Sequence, residues 1–149
     1  MVLAHHIGCR IYYQDTDSMH IAKDDLPKLA DAFREKYNRE LIGKGMGQFH
    51  NDFDGGDHAV ESWFIAKKVY LDKLDTGAYH IRCKGVPKEG VLAANKNVEE
   101  TYQKLFNGEE IEFDIAIGKP KFIFEKQFTV STNHDFKRKV SACLPVGEF

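Results

Sequence analysis

The chain has 149 residues, of which 42% are hydrophobic and 30% are charged, and its formal net charge at pH 7 is −2. This length predicts one compact domain or two small ones with a buried core. No apolar run is long enough to cross a membrane and the first twenty residues lack a signal-peptide pattern, so we expect an intracellular protein with no membrane partner.

The net charge conceals a separation of acidic and basic residues along the chain. Residues 67–96 contain seven Lys or Arg and three Asp or Glu, and residues 119–140 contain six and two, so each window carries +4. Acidic residues prevail elsewhere. This pattern is typical of a protein that holds a metal ion in one place and a phosphate backbone in another, although an ordinary solvated surface also produces it.

The first predicted element is a β-hairpin. Strand-forming sequence at residues 11–15 and 19–21 flanks two carboxylates, Asp15 and Asp17, which predicts an acidic pair at the bend. One interpretation is an ordinary turn, because Asp, Ser and Thr side chains bond to nearby backbone groups.

A second interpretation comes from a family resemblance. Residues 13–18 read Tyr-Gln-Asp-Thr-Asp-Ser and resemble the Tyr-x-Asp-Thr-Asp-Ser motif of family B DNA polymerases, a palm-domain hairpin that presents catalytic carboxylates to Mg²⁺. The resemblance implies that Asp17 is a direct metal ligand and that Asp15 is a weaker or outer-shell ligand, both catalytic. The residues that it implies as supports of the turn are Tyr13, Thr16 and Ser18.

Nucleotidyl transfer explains why such a motif would exist. Two divalent ions about 4 Å apart clamp the attacking and leaving oxygens, so hard oxygen ligands must converge on a small volume. In the family, the other catalytic aspartate, the nucleotide-binding lysine of the fingers and the exonuclease carboxylates precede the hairpin, and nothing in this chain matches them. We therefore expect the C-terminal portion of a polymerase, with an incomplete two-metal Mg²⁺ site and no primer extension by the isolated chain.

A helix is predicted after the hairpin. Asp24 and Asp25 followed by Pro27 are typical of a helix start, with an acidic cap and a proline in the first turn. Apolar residues then recur at helical spacing as far as Leu41, and the glycines from Gly43 onward end the helix. We expect this helix to cover one side of a sheet.

Two strands joined by a short turn are predicted at residues 59–65 and 68–74. The second begins with Lys68-Val69-Tyr70, which resembles the Lys-x-Tyr motif that follows the acidic hairpin in the same polymerases. Strand alternation would place Lys68 and Tyr70 on one face. The resemblance implies that the pair holds the primer terminus. An exposed lysine beside a packed tyrosine is the plain structural alternative.

A third strand is predicted after a turn at residues 75–78. Residues 79–87 resemble the strand and Lys-Gly-hydrophobic-Pro turn that lead out of the palm in protein-primed family B polymerases of phages, linear plasmids and some viruses. Arg82 and Lys84 would share a strand face. We expect both to contact primer or template phosphates, which requires no base recognition.

The sequence changes character after Pro87. Asn97 with Glu100 three residues later predicts a capped helix that ends at Asn107-Gly108. The remaining predictions are strands at 111–117 and 121–130 and a basic, then structureless, end at 137–149.

The predicted fold class is α+β, an antiparallel palm sheet with a covering helix followed by a small α+β thumb. The resemblance implies that residues 1–87 are the C-terminal part of the palm and that residues 88–149 are a thumb subdomain and tail.

Three hypotheses for the function follow. The first is part of a DNA-directed DNA polymerase that catalyses Mg²⁺-dependent, template-directed nucleotidyl transfer to a primer end, in the cytoplasm or an organelle of a host cell. Its implied partners are primer–template DNA, deoxynucleoside triphosphates, the missing N-terminal part or a partner chain, and a terminal priming protein. The second is a stand-alone nucleic-acid-binding module without catalysis, and the third is an unrelated α+β domain with a plain acidic turn. The first requires Asp15 and Asp17 to share one cleft with Lys68 and Tyr70.

Overall fold

The computed structural model describes residues 1–115, 122–124, 130–132 and 137–140, and it describes side chains for residues 1–115. The fold class is α+β, as predicted. The helices described are α1 (Val2–His6), α2 (Leu26–Tyr37), α3 (Lys88–Ala94) and α4 (Val98–Phe106). The strands described are β1 (Ile11–Asp15), β2 (Ser18–Ile21), β3 (Ala59–Ala66), β4 (Val69–Leu74), β5 (Tyr79–Cys83), β6 (Ile111–Asp114), β7 (Phe122–Phe124), β8 (Val130–Thr132) and β9 (Lys137–Val140).

Contacts divide the chain into two compact units. The first unit comprises residues 1–59 and 74–78, and the second comprises residues 60–73 and 79–149. Among the residues that the structure describes, no helix has the length and apolar character needed to cross a membrane.

The first unit contains the predicted hairpin. Strands β1 and β2 pair antiparallel with Asp15 opposite Ser18, which leaves residues 16 and 17 as a two-residue turn. The core of this unit centres on Ala4, Leu29 and Leu41, and apolar residues of both strands pack against it. Because Leu29 belongs to α2, this helix covers one face of the hairpin, as the apolar stripe predicted.

Helix α2 ends four residues before the predicted limit at Leu41. Asn38 follows the helix with φ of 50° and ψ of 39°, and its N–H donates to the Arg34 carbonyl oxygen. Asn tolerates this left-handed conformation better than most residues with a side chain, so it ends the helix as glycine often does. Leu41 is buried in the core even though it lies outside the helix.

The second unit is built around the sheet β3–β4–β5. Strands β4 and β5 pair antiparallel, with Val69 opposite Cys83 and Tyr70 opposite Arg82. One core joins this sheet to the elements that follow it in the chain. Its buried members are Val69, Leu71, Cys83, Val86, Val91, Val98, Tyr102, Leu105 and Phe113. This core includes residues on both sides of residue 87. The division of this chain into a palm and a thumb at that residue stays a prediction.

Helix α4 confirms its predicted cap. The Asn97 side chain accepts a hydrogen bond from the Glu100 N–H, and the helix ends before Asn107 and Gly108. Helices α1 and α3 were not predicted.

Residues 137–140, the basic part of the predicted end, form β9, a strand that was not predicted, and pair with β6. Within the strand predicted at 121–130, the structure describes β7 at 122–124, which pairs antiparallel with β8 at 130–132. The parts of these predictions that fall on residues 116–117, 121, 125–129 and 141–149 lie outside the described residues.

Gly90 gives a test of how α3 packs against β6. A Cβ at this buried position would stand 2.4 Å from the Asp114 carbonyl oxygen. Gly→Ala inside a helix ordinarily stabilises by up to about 1 kcal/mol, but here we expect Gly90→Ala to lower the free energy of unfolding by about 2 kcal/mol through overpacking. Urea denaturation measures the difference, with the exposed Lys88→Ala of the same helix as control. A Gly90→Ala protein more stable than the wild type would contradict the close approach.

Candidate functional site

The tip of the β1–β2 hairpin carries the two predicted catalytic carboxylates. Asp17 is exposed in the turn, and Asp15 is half-buried at the end of β1. The Thr16 hydroxyl donates to Asp15 Oδ1 at 3.2 Å, and the Ser18 hydroxyl donates to the Asp15 carbonyl oxygen at 3.5 Å. These short side chains bind within the turn, and the supporting role that the resemblance implies for them stays a prediction.

Aromatic contacts stiffen the body of the hairpin. The Tyr13 ring meets the His20 ring edge to face, with centroids 5.6 Å apart, and His20 meets Phe53 at 6.2 Å. Contacts of this geometry stabilise by about 1 kcal/mol beyond the area that they bury. Tyr13 therefore packs against the opposite strand of the hairpin, and the supporting role that the resemblance implies for it stays a prediction.

The base of the hairpin is held by an ion pair. The Arg10 guanidinium donates to the Asp25 carboxylate at 2.9 and 3.3 Å, and the Arg10 backbone N–H donates at 2.8 Å. These bonds hold the pKa of Asp25 below its usual range, chiefly through the guanidinium hydrogen bond. Asp25 occupies the N-cap position of α2 and Pro27 lies in the first turn, as predicted. The Asp25 carboxylate makes no capping bond, however, and instead joins the helix to the hairpin.

The carboxylates at the tip match the chemistry of magnesium. This ion binds proteins through one or two carboxylates and keeps several waters, and Asp15 and Asp17 offer two such groups within one turn. In the part of the chain that the structure describes, no group of three or more His, Cys, Asp and Glu side chains could hold a metal ion. A magnesium site that includes these two carboxylates and a second aspartate stays a prediction.

The second unit gathers basic residues at one end of its sheet. Lys67 and Lys68 form the turn between β3 and β4, and the Lys84 N–H donates to the Lys68 carbonyl oxygen at 2.9 Å just beyond the end of the β4–β5 pairing. Arg82 lies opposite Tyr70, one step further along the strands. All four of these basic residues are exposed. We call them the basic end: Lys67, Lys68, Arg82 and Lys84.

The sequence prediction placed Lys68 and Lys84 on strand faces by alternation. In the structure, something other than alternation brings these two lysines together. Strand β4 begins at Val69 and β5 ends at Cys83, so Lys68 and Lys84 lie in turns. Lys68 adopts a φ of 63°. The predicted shared faces are therefore wrong for both lysines, but the antiparallel pairing still brings them together. Lys67 was not singled out, and its adjacency to Lys68 was the available signal.

Tyr70 is more enclosed than a primer-stacking tyrosine would be. Tyr70 is 8% exposed. The centroid of its ring lies 6.0 Å from that of Phe64 and 6.2 Å from that of His80. This burial leaves little of Tyr70 accessible to a sugar or base.

Tyr102 fixes the backbone behind Arg82. The Tyr102 hydroxyl, fully buried in the core, donates to the Arg82 carbonyl oxygen at 2.7 Å. Burial raises the pKa of this hydroxyl well above its usual range, so it remains a donor. The Arg82 side chain therefore extends from an anchored strand.

The two halves of the predicted site belong to different units. Asp15 and Asp17 lie in the first unit, whereas Lys68, Tyr70, Arg82 and Lys84 lie in the second. Their convergence on one cleft stays a prediction. No protein-family model, curated protein or solved structure matches the chain, so the resemblance to family B polymerases rests on the motif residues themselves.

The Arg10–Asp25 pair predicts an acid-sensitive contribution to stability. The pKa of Asp25 is depressed in the folded state, so the pair stabilises above the unfolded value of about 4 and its contribution is lost as the pH falls through the folded value. We expect Asp25→Asn to lower the urea midpoint at about pH 6 and to have little effect near pH 2.

Asp24→Asn is the matched control, because Asp24 is the adjacent, exposed carboxylate. Equal effects of Asp25→Asn at both pH values would contradict the ion pair.

Proposed function

We propose that this chain is the C-terminal palm and thumb part of a protein-primed family B DNA polymerase, and that it contributes to Mg²⁺-dependent, template-directed nucleotidyl transfer. The supporting observation is that two family motifs occur in the family's order, each in a hairpin. The acidic motif surrounds the β1–β2 turn, and the Lys-x-Tyr motif begins in the β3–β4 turn. Asp17 and Lys68 are exposed at these turns, whereas Tyr70 is largely enclosed.

Asp17 and Asp15 would hold the metal in this proposal. Bound Mg²⁺ stabilises the attacking and leaving oxygens of the transfer. The chain's own contribution is a stiff support, because Arg10 anchors the base of the hairpin and Tyr13 packs behind its tip. A rigid carrier suits this task, since ligands that are displaced by about 1 Å lose much of their effect.

The basic end would hold the primer or template backbone. Exposed Lys and Arg side chains attract phosphates irrespective of sequence, which copying requires. Lys68 adds a further argument, because its φ of 63° is a left-handed conformation that costs a residue with a Cβ about 1 kcal/mol. Glycine would avoid this cost, and in this proposal the exposed Lys68 side chain compensates for it by contacting phosphate.

In this proposal the complete enzyme requires groups that come from elsewhere. A second aspartate, a nucleotide-binding lysine and a terminal priming protein would join this chain at primer–template DNA with deoxynucleoside triphosphates, in the cytoplasm or an organelle of a host cell. The isolated chain would not extend a primer. A second candidate function is a stand-alone nucleic-acid-binding module, favoured by the fact that the basic end lies wholly in a unit with its own core.

Lys68→Gly tests the basic end through two opposite effects. Relief of the left-handed strain should raise the urea midpoint, whereas loss of one phosphate contact should weaken binding of a fluorescent primer–template DNA and reduce the slope of log K against log salt by about one. Lys44→Gly, an exposed lysine of the first unit, is the control of equal charge. Absence of DNA binding by the wild-type chain at low salt would refute both candidate functions.

Asp17→Asn tests the metal role separately from DNA binding. Paramagnetic Mn²⁺, which replaces Mg²⁺ at oxygen sites, should broaden the amide NMR signals of residues 15–18 in the wild type. We expect Asp17→Asn to abolish this broadening and Asp24→Asn to preserve it. DNA binding without any broadening of these signals would favour the stand-alone module.

A further inference from the structure

A buried carboxylate lies on the face of the β3–β4–β5 sheet that points away from the core of the second unit. Along β4, Val69 and Leu71 enter the core, so alternation turns Tyr70 and Asp72 to the other face. Asp72 is 0% exposed. The Ser62 hydroxyl on β3 donates to Asp72 Oδ1 at 2.6 Å.

Asp72 lies next to the group that encloses Tyr70. His80 is directly opposite Asp72 on β5, and its ring stacks near the Tyr70 ring at 6.2 Å with 26° between the planes. Phe64, two residues after Ser62 on β3, approaches the same Tyr70 ring at 6.0 Å. Three polar residues on neighbouring strands, Ser62, Asp72 and His80, thus form a row across the sheet next to Tyr70.

Energetics argue that this row has a use beyond packing. Burial of a carboxylate costs several kcal/mol unless it is well bonded, and apolar residues of similar volume often stabilise a protein equally well or better. A strand that needed only to pack would not require an acid at this position. A carboxylate that faces a histidine is, however, an effective way to fix the orientation of an imidazole ring.

We propose that Asp72 is a positioning residue for Tyr70. Asp72 holds Ser62 and faces His80, and together with Phe64 this row sets the orientation of the Tyr70 ring and hydroxyl beside Arg82. The inference rests on the proposed function, because it assigns Asp72 to the primer contact of Tyr70. Asp72 lies two residues beyond the Lys-x-Tyr motif.

A double-mutant cycle on the full chain tests this role, with the affinity for a fluorescent primer–template DNA as readout. Tyr70→Phe removes only the hydroxyl, and Asp72→Asn keeps the shape of the side chain. We expect each change to weaken binding by about fivefold, the value of one hydrogen bond. Because both act through the same hydroxyl, the double variant should bind no more weakly than Tyr70→Phe alone.

A purely structural role of Asp72 would give independent, additive effects, and additivity would overturn the inference while leaving the proposed function intact. No effect of Tyr70→Phe would overturn the primer contact and the inference with it. Glu99→Gln is the control, because Glu99 binds Lys73 and Tyr79 in the same unit, and its effect should be additive with Tyr70→Phe. If Asp72→Asn does not fold, Ser62→Ala replaces it in the same cycle, since it removes only the donor to Asp72.

Discussion

The register of two antiparallel hairpins is the constraint on which the candidate site depends. A slip of one residue would turn every side chain of a strand to the opposite face. In the first hairpin, Asp15 opposite Ser18 leaves the acidic turn at the tip. In the second hairpin, formed by β4 and β5, Val69 lies opposite Cys83 and Arg82 lies opposite Tyr70. This register also brings the Lys84 N–H to the Lys68 carbonyl oxygen. Polar anchors keep these registers, among them the Arg10–Asp25 pair and the bond from Tyr102 to Arg82.

Two positions in the second unit break local rules of stability. Lys68 takes a left-handed conformation that suits glycine, and Asp72 is a carboxylate without solvent exposure. Natural proteins violate local preferences mainly where function compensates for the cost. Both exceptions occur within a few residues of Tyr70, and the strands around them pack in the ordinary way. For this reason we treat this part of the sheet as a candidate site.

Local patterns were sufficient to predict the elements that are stabilised locally. The hairpin at Asp15 and Asp17 was predicted from strand-forming runs around a turn, and α4 from its Asn97 cap, because neighbouring residues determine both. Helix α3 was missed because its central Gly90 opposes helix formation, and the helix exists through packing on β6. Strand β9 was missed because its partner β6 lies more than twenty residues away in the chain.

The same distinction separates the predictable and unpredictable parts of the site. Neighbouring residues in the sequence were enough to predict which residues form each hairpin, but not which side chains surround those residues in the fold. Lys68 was expected on a strand and lies in a turn, and Tyr70 was expected to present a ring that is in fact enclosed by Phe64 and His80. Turn conformation and cross-strand contacts depend on residues elsewhere in the chain, which a short sequence motif does not include.

Two carboxylates on one turn also constrain how the proposed enzyme would assemble. Magnesium dehydrates reluctantly and needs about six oxygen ligands, so Asp15 and Asp17 alone would bind it weakly. Substrate phosphates and a further aspartate would supply the remaining ligands, and each would raise the affinity for the others by the same coupling free energy. The hairpin would then gain its metal together with its substrate and partner segment. An incomplete acidic tip is in this sense compatible with a polymerase role, because the stiffness that Arg10 and Tyr13 provide is what the hairpin must contribute before the other ligands arrive.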